Sequence, residues 1–189
     1  LSPAHRTQYL GYLRSKYADI FIEVTREWED GGTIYTTEDG LRNMEQKLNH
    51  IIEEEIPAVA RQIGEAASHG DLSENSEYTA ALEKRDQLAS NATRLENELK
   101  VAKVINHEMA GSDFVNVGTK VVTVADSGEE ETYTFLGPWD TDVDNRVLNY
   151  QAPLAMAFMG AKVGDAVEFG EEGDRRTWTI KDIMSGLPE

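Results

Sequence analysis

The strongest chemical pattern in the chain is the run Gly70-Asp71-Leu72-Ser73-Glu74-Asn75-Ser76-Glu77-Tyr78. Asp71 and Glu74 stand three apart at the start of a helical pattern, so both carboxylates can project from one first turn. Two readings fit them. In the first, Asp71 caps the helix and Glu74 reaches back to it, a capping box with Asp in place of Ser or Thr. In the second the acids are presented for use, since a cap needs neither a third acid in Glu77 nor the adjoining Asn75 and Tyr78. A further acidic pattern, Asp140-Thr141-Asp142-Val143-Asp144, mimics the start of an EF-hand calcium loop. It has Asn145 where that loop needs glycine and Gln151 where it needs a bidentate glutamate, and no flanking helices are evident, so calcium is not expected there. His69, beside the first run, reads as an idle surface histidine.

Composition removes other chemistries. The 189 residues include no cysteine, so neither disulfides nor thiolate nucleophiles are available, which fits a cytoplasmic location. With 18 basic and 35 acidic residues the net charge is −17, deepest in the last third of the chain. Such a chain does not hold a nucleic-acid backbone by bulk charge. No apolar run is long enough to cross a membrane, and the first residues lack the layout of a signal peptide.

Three helical patterns must position the acids. Tyr9, Leu10, Leu13, Tyr17, Ile20, Phe21, Val24 and Trp28 form an amphipathic stripe over residues 3–29, ended by Gly31 and Gly32. It either packs on its own chain or is the last helix of an upstream part, which the absence of an initial methionine favours. Leu41, Met44, Leu48, Ile52, Ile56, Val59, Ile63 and Ala66 then recur at spacings of three and four over residues 37–67, with Pro57 predicting a kink or local irregularity. Over residues 74–108, Leu88, Ala92, Leu95, Leu99 and Ala102 alternate by four and three, a coiled-coil seam. Joined by a short link, the second and third patterns bury their stripes as an antiparallel hairpin with its tip at residues 68–74.

After Gly111 the period changes. Residues 120–124 and 131–135 read as strands around the turn Asp126-Ser127-Gly128. Residues 153–159 read as a short helix opened by Pro153 and stopped by Gly160; residues 163–169 hold a Gly164-Asp165 turn followed by a strand, and 177–183 alternate apolar and polar as a further strand. The fold class is α+β: a segment 1–33, a hairpin over 34–110, and a small α+β domain over 111–189.

The run Gly70–Tyr78 resembles the tip motif of the bacterial Gre transcript-cleavage factors, G-D-L-x-E-N-x-E-Y. The likeness returns in Val117-Gly118-Thr119-Lys120-Val121 and in Ala152-Pro153-Leu154-Ala155-Met156-Ala157-Phe158-Met159-Gly160, followed by Lys162-Val163-Gly164-Asp165, and so covers about residues 34–183. Where many members carry arginines flanking the tip, this sequence has Ala67 and Leu82, with Lys84 and Arg85 a turn away.

The resemblance implies a coiled-coil hairpin followed by a globular domain of FKBP-like fold. It implies a partner, RNA polymerase, whose secondary channel admits the hairpin while Pro153, Leu154 and Met156 help dock the globular domain. Asp71 and Glu74 match the acids that help hold a second Mg²⁺ in the polymerase active centre, where the nascent RNA 3′ end is cleaved; Asn75, Glu77 and Tyr78 match the tip's supporting residues. The ion is then expected only in the assembled complex, because Mg²⁺ takes one or two protein carboxylates and fills its octahedron elsewhere. The implied protein is an accessory factor rather than an enzyme, and a monomer. Two alternatives remain open: a non-catalytic channel-binding regulator of the same shape, and a coiled-coil adaptor unrelated to polymerase.

Overall fold

The structure, a computed structural model, describes residues 26–68, 76–111, 113–171, 173 and 175–187. The stripe from Tyr9 to Val24 lies outside the described residues. Its last member, Trp28, sits in a short 3-10 turn, Glu27–Glu29, and is 8% exposed.

Strand β1 (Ile34–Thr36) leads into the first arm. Helix α1 (Glu38–His50) begins at Thr37, whose Oγ1 accepts a hydrogen bond from the Gly40 N–H. Glu38 and Asp39 lie in its first turn and Lys47 and His50 in its last, the arrangement that complements the helix dipole. The arm then widens into a π-helical turn, Ile51–Glu55, in which the Ile56 N–H reaches back five residues to the Ile51 carbonyl. It resumes as α2 (Ile56–Ser68). Pro57 is the cause: it donates no N–H, and its ring collides with the carbonyl four residues back unless the turn opens. The extra residue rotates the seam. Ile51 is buried at 2% exposure, while Ile52, the member that the regular spacing places in the seam, is 42% exposed. Ile51→Ala is therefore expected to cost about 3 kcal/mol in urea unfolding, and Ile52→Ala no more than about 0.5 kcal/mol. Equal costs would contradict the shifted register.

The second arm, α3 (Ser76–Lys100), returns alongside the first. Its Ala92 and Leu95 share a cluster with Ile51, Met44 and Leu48, whereas its start, Glu77 to Lys84, faces Gln62, Glu65 and Ala66 of α2. Positions ascending one arm meet positions descending the other, so the arms are antiparallel. Helix α3 stops at Lys100, eight residues before the end of the coiled-coil pattern. A strand follows instead, β2 (Ala102–Val104), flanked by Val101 and Ile105, and it takes the seam position Ala102 out of the helix. Strand β2 pairs in parallel with β1, Tyr35 opposite Lys103, and thereby ties the two arms together at their base.

A single turn, α4 (His107–Ala110), capped by Asn106, leads to the sheet. Its strands are β3 (Thr119–Ala125), β4 (Glu130–Leu136), β5 (Val147–Asn149), β6 (Ala166–Phe169) and β7 (Arg176–Ser185), in the order β5-β4-β3-β7-β6. All neighbours are antiparallel except β4 and β5. Helix α5 (Pro153–Phe158) lays Ala155 and Phe158, both 0% exposed, against Val121, Tyr133, Phe135, Val167, Trp178 and Ile180. A second core joins the hairpin base to this domain: Trp28, Tyr35, Ile105, Met109, Val117, Leu136 and Tyr150. The fold is thus α+β, a helical hairpin followed by a mixed sheet with a short helix. Among the described residues no helix is long and apolar enough to cross a membrane.

Candidate functional site

Asp71, Glu74 and Asn75 lie outside the described residues; the elements that carry them do not. Helix α2 ends at Ser68, whose Oγ donates to the Glu65 carbonyl at 2.7 Å. Helix α3 begins at Ser76. At about 1.5 Å per residue, the 31 residues from Glu38 to Ser68 carry this end roughly 45 Å from the base. On the first turn of α3, Glu77 is exposed and Tyr78 half-buried. Small side chains let the arms approach here: Ala66 is 6% and Ala81 8% exposed.

Between the arms, next to the tip, runs a groove of about 410 Å³ lined by Gln62, Glu65, Ala66, Glu77, Ala80, Ala81 and Lys84. Glu65 and Glu77 make its polar wall acidic, with Lys84 the one cation lining it among the described residues. Arg85 turns instead to its neighbour Asp86, with Nη2 and Nε at 2.7 and 3.0 Å from one carboxylate oxygen. Ala67 is exposed and Leu82 half-buried. Among the described residues at this end of the rod, the groove thus sets two acids, Glu65 and Glu77, against one cation, Lys84. That charge balance repels a phosphate and attracts a cation.

The apolar residues of α5 divide by exposure. Pro153 is exposed at the first helical position and Met156 is 42% exposed. Leu154 is half-buried against the core cluster, so it anchors the helix as much as it presents a surface.

The EF-hand-like run serves another purpose. Asp140 Oδ2 accepts from Thr36 Oγ1 (2.8 Å) and from the Thr37 N–H (3.0 Å), and its Oδ1 accepts from Thr37 Oγ1 (2.5 Å). Asp142 accepts from the Asn145 side chain (2.7 Å) and backbone (3.2 Å), and those bonds hold its carboxyl below the usual aspartate range. Arg146 then takes a left-handed φ of 54° and the chain turns into β5. Among the described residues no group of three or more acidic or histidine side chains is placed to hold a metal.

A polar network in the sheet has no signal in the sequence pattern. Glu131 accepts from Trp178 Nε1 (2.7 Å) and from the Tyr133 hydroxyl (2.8 Å), with Arg146 at 3.6 Å. The Trp178 bond, then the Tyr133 bond, hold the Glu131 carboxyl below its ordinary value. Burial and the Glu131 bond push Tyr133 up to about 12. A carboxyl lowered in the folded state contributes stability above its unfolded value and loses it as pH falls through the lowered one. The difference in melting temperature between the native protein and Glu131→Gln should accordingly shrink on acidification from about pH 6 to about pH 3. A constant difference would show that the bonds do not depend on the charge.

Residues 34–104 match the family model described as transcription elongation factor, N-terminal, and residues 110–185 match that of transcription elongation factor GreA/GreB, C-terminal. The transcription elongation factor GreA of Mycoplasmopsis pulmonis is 39% identical over 156 residues, covering 82% of this chain and 98% of that protein. That of Chlamydia trachomatis is 38% identical over 157 residues, 83% of this chain but 21% of its own length, so the chain spans about a fifth of that relative. Among solved structures, GreA factor homolog 1 of Thermus thermophilus aligns over 81% of this chain and 99% of its own, with 19% identity and a TM-score of 0.37.

Proposed function

The chain belongs to the GreA/GreB family of transcription elongation factors, and from this membership we propose that it binds RNA polymerase and stimulates cleavage of the 3′ end of backtracked RNA. The hairpin enters the secondary channel tip first, and the globular domain docks outside through Pro153 and Met156, with Leu154 anchoring the helix that bears them. The protein works in the cytoplasm as a monomer and an accessory: the hydrolytic centre is the polymerase's own.

The observation that supports this most is the acidic run Gly70–Tyr78 in the sequence, which links two arms packed against each other. Asp71 and Glu74 offer two carboxylates, hard oxygen donors of the kind Mg²⁺ prefers, yet too few to complete its shell. The residues fit a shared site better than a private one, with the remaining ligands coming from the polymerase and the RNA phosphates. Bound there, the ion supplies Lewis-acid stabilisation of phosphodiester cleavage. The chain's own part is to deliver the two carboxylates. Glu77 deepens the negative field that draws the cation, Asn75 offers a neutral acceptor and donor beside the acids, and Tyr78 packs the first turn of α3. Retention of both Asp71 and Glu74 favours this reading over a non-catalytic channel-binding regulator. The test is a stalled, backtracked elongation complex with labelled RNA: adding the protein should shorten the transcript from its 3′ end and restore extension. No shortening at saturating protein would overturn the proposal.

A further inference from the structure

We propose that Asp140 is a positioning residue, a latch in the globular domain that fixes the direction in which the hairpin leaves it. Its functional consequence rests on the cleavage-factor reading above; its structural content does not. The carboxylate lies in the turn between β4 and β5, more than a hundred residues from its partners in sequence. It spends both oxygens on three donors at the start of the first arm: Thr36 Oγ1, the Thr37 N–H and Thr37 Oγ1. Thr36 is 0% exposed and Thr37 8%. Thr37 is also the N-cap of α1, so the acid grips the residue from which the arm begins and adds negative charge at that helix terminus.

Two glycines allow the grip. A Cβ on Gly40 would lie 2.2 Å from Asp140 Oδ1 and 2.3 Å from Thr36 Oγ1. One on Gly137, which opens the Asp140 turn, would lie 1.9 Å from the Tyr35 carbonyl oxygen. Tyr150 adds a second tie, its hydroxyl donating to the Thr33 carbonyl at 3.1 Å. Leverage makes the latch matter. A swing of about 10° at the base carries the end of a ~45 Å arm through roughly 8 Å. A displacement far smaller than that is enough to cost catalysis on the order of 10²-fold.

The chain contains no cysteine, so spin labels can be placed at Arg61→Cys on α2 and Ser127→Cys in the β3–β4 turn, both exposed. Pulsed dipolar spectroscopy on the full chain should give a narrow distance distribution. Asp140→Asn, which keeps the shape but loses the charge and one acceptor, should broaden it, as should Gly40→Ala, which thrusts a methyl into the latch. Asp144→Asn, an exposed acid in the same loop, should leave it narrow. On stalled elongation complexes, Asp140→Asn should lower cleavage at saturating protein about tenfold or more. If Asp140→Asn proves too unstable to assay, Thr36→Val removes one donor and is held to the same outcomes. Narrow distributions in both latch variants would overturn the proposal; so would broadening with unchanged cleavage. If the native protein stimulates no cleavage, the proposed function fails while the distances still decide whether Asp140 sets the arm.

Discussion

Asp71→Asn and Glu74→Gln are each expected to reduce RNA cleavage by about 10²-fold or more while leaving polymerase binding intact. Each change keeps the side chain's shape and its capacity to accept a hydrogen bond at a helix terminus, and removes only the charge. If the acids serve as a capping box, the loss is limited to about 1 kcal/mol of local stability, and cleavage survives. If they hold Mg²⁺ with the polymerase, losing one of two carboxylates weakens the shared site, and raising Mg²⁺ should restore part of the activity by mass action. Binding is measured separately, by competition for the polymerase with the native protein. Full cleavage by both variants at low Mg²⁺ would remove Asp71 and Glu74 from the mechanism.

Phe158→Ala carries the largest expected loss of stability, about 3–5 kcal/mol. Its ring is 0% exposed and lies 5.6 to 5.8 Å from the rings of Phe135, Tyr133 and Trp178, so truncation leaves a hole among aromatics that cannot all move inward. Because Phe158 ends the helix that presents Pro153 and Met156, the change should also weaken polymerase docking. Met156→Ala separates the two effects: at 42% exposure it should alter stability by no more than about 0.5 kcal/mol, yet still weaken docking. Chemical denaturation and a binding titration on both variants decide it. A Phe158→Ala protein as stable as the native one would mean that α5 is not anchored by that ring.

Periodicity made both arms legible, because a stripe repeated over thirty residues has few alternatives. It also disclosed the β3–β4 hairpin, through alternation around Asp126-Ser127-Gly128, and the helix opened by Pro153. Pro57 announced an irregularity, but not that the arm would answer with a π-helical turn and exchange Ile52 for Ile51 in the seam. That choice depends on which side chain the second arm receives. Strands β1 and β2 escaped notice because three residues are too few to show a period, and they pair only once the hairpin has brought them together. The role of Asp140 was hidden for a related reason: its partners Thr36 and Thr37 lie at sequence separations of 104 and 103. The acids at 71 and 74 were the reverse case: plain in the sequence, and carried on a segment outside the described residues.

Trp28, Tyr35, Ile105 and Met109 on one side, with Val117, Leu136 and Tyr150 on the other, enclose a single hydrophobic interior. A cut near residue 110 therefore opens that interior instead of freeing two finished pieces. For recombination between relatives, the exchangeable cassette is the outer part of the rod, beyond the residues that meet the globular domain. Thr36, Thr37 and Gly40 must be inherited together with Gly137 and Asp140, since a mismatch on either side meets a missing donor or a methyl group with nowhere to go. Rod and globular domain thus form one heritable unit at their join.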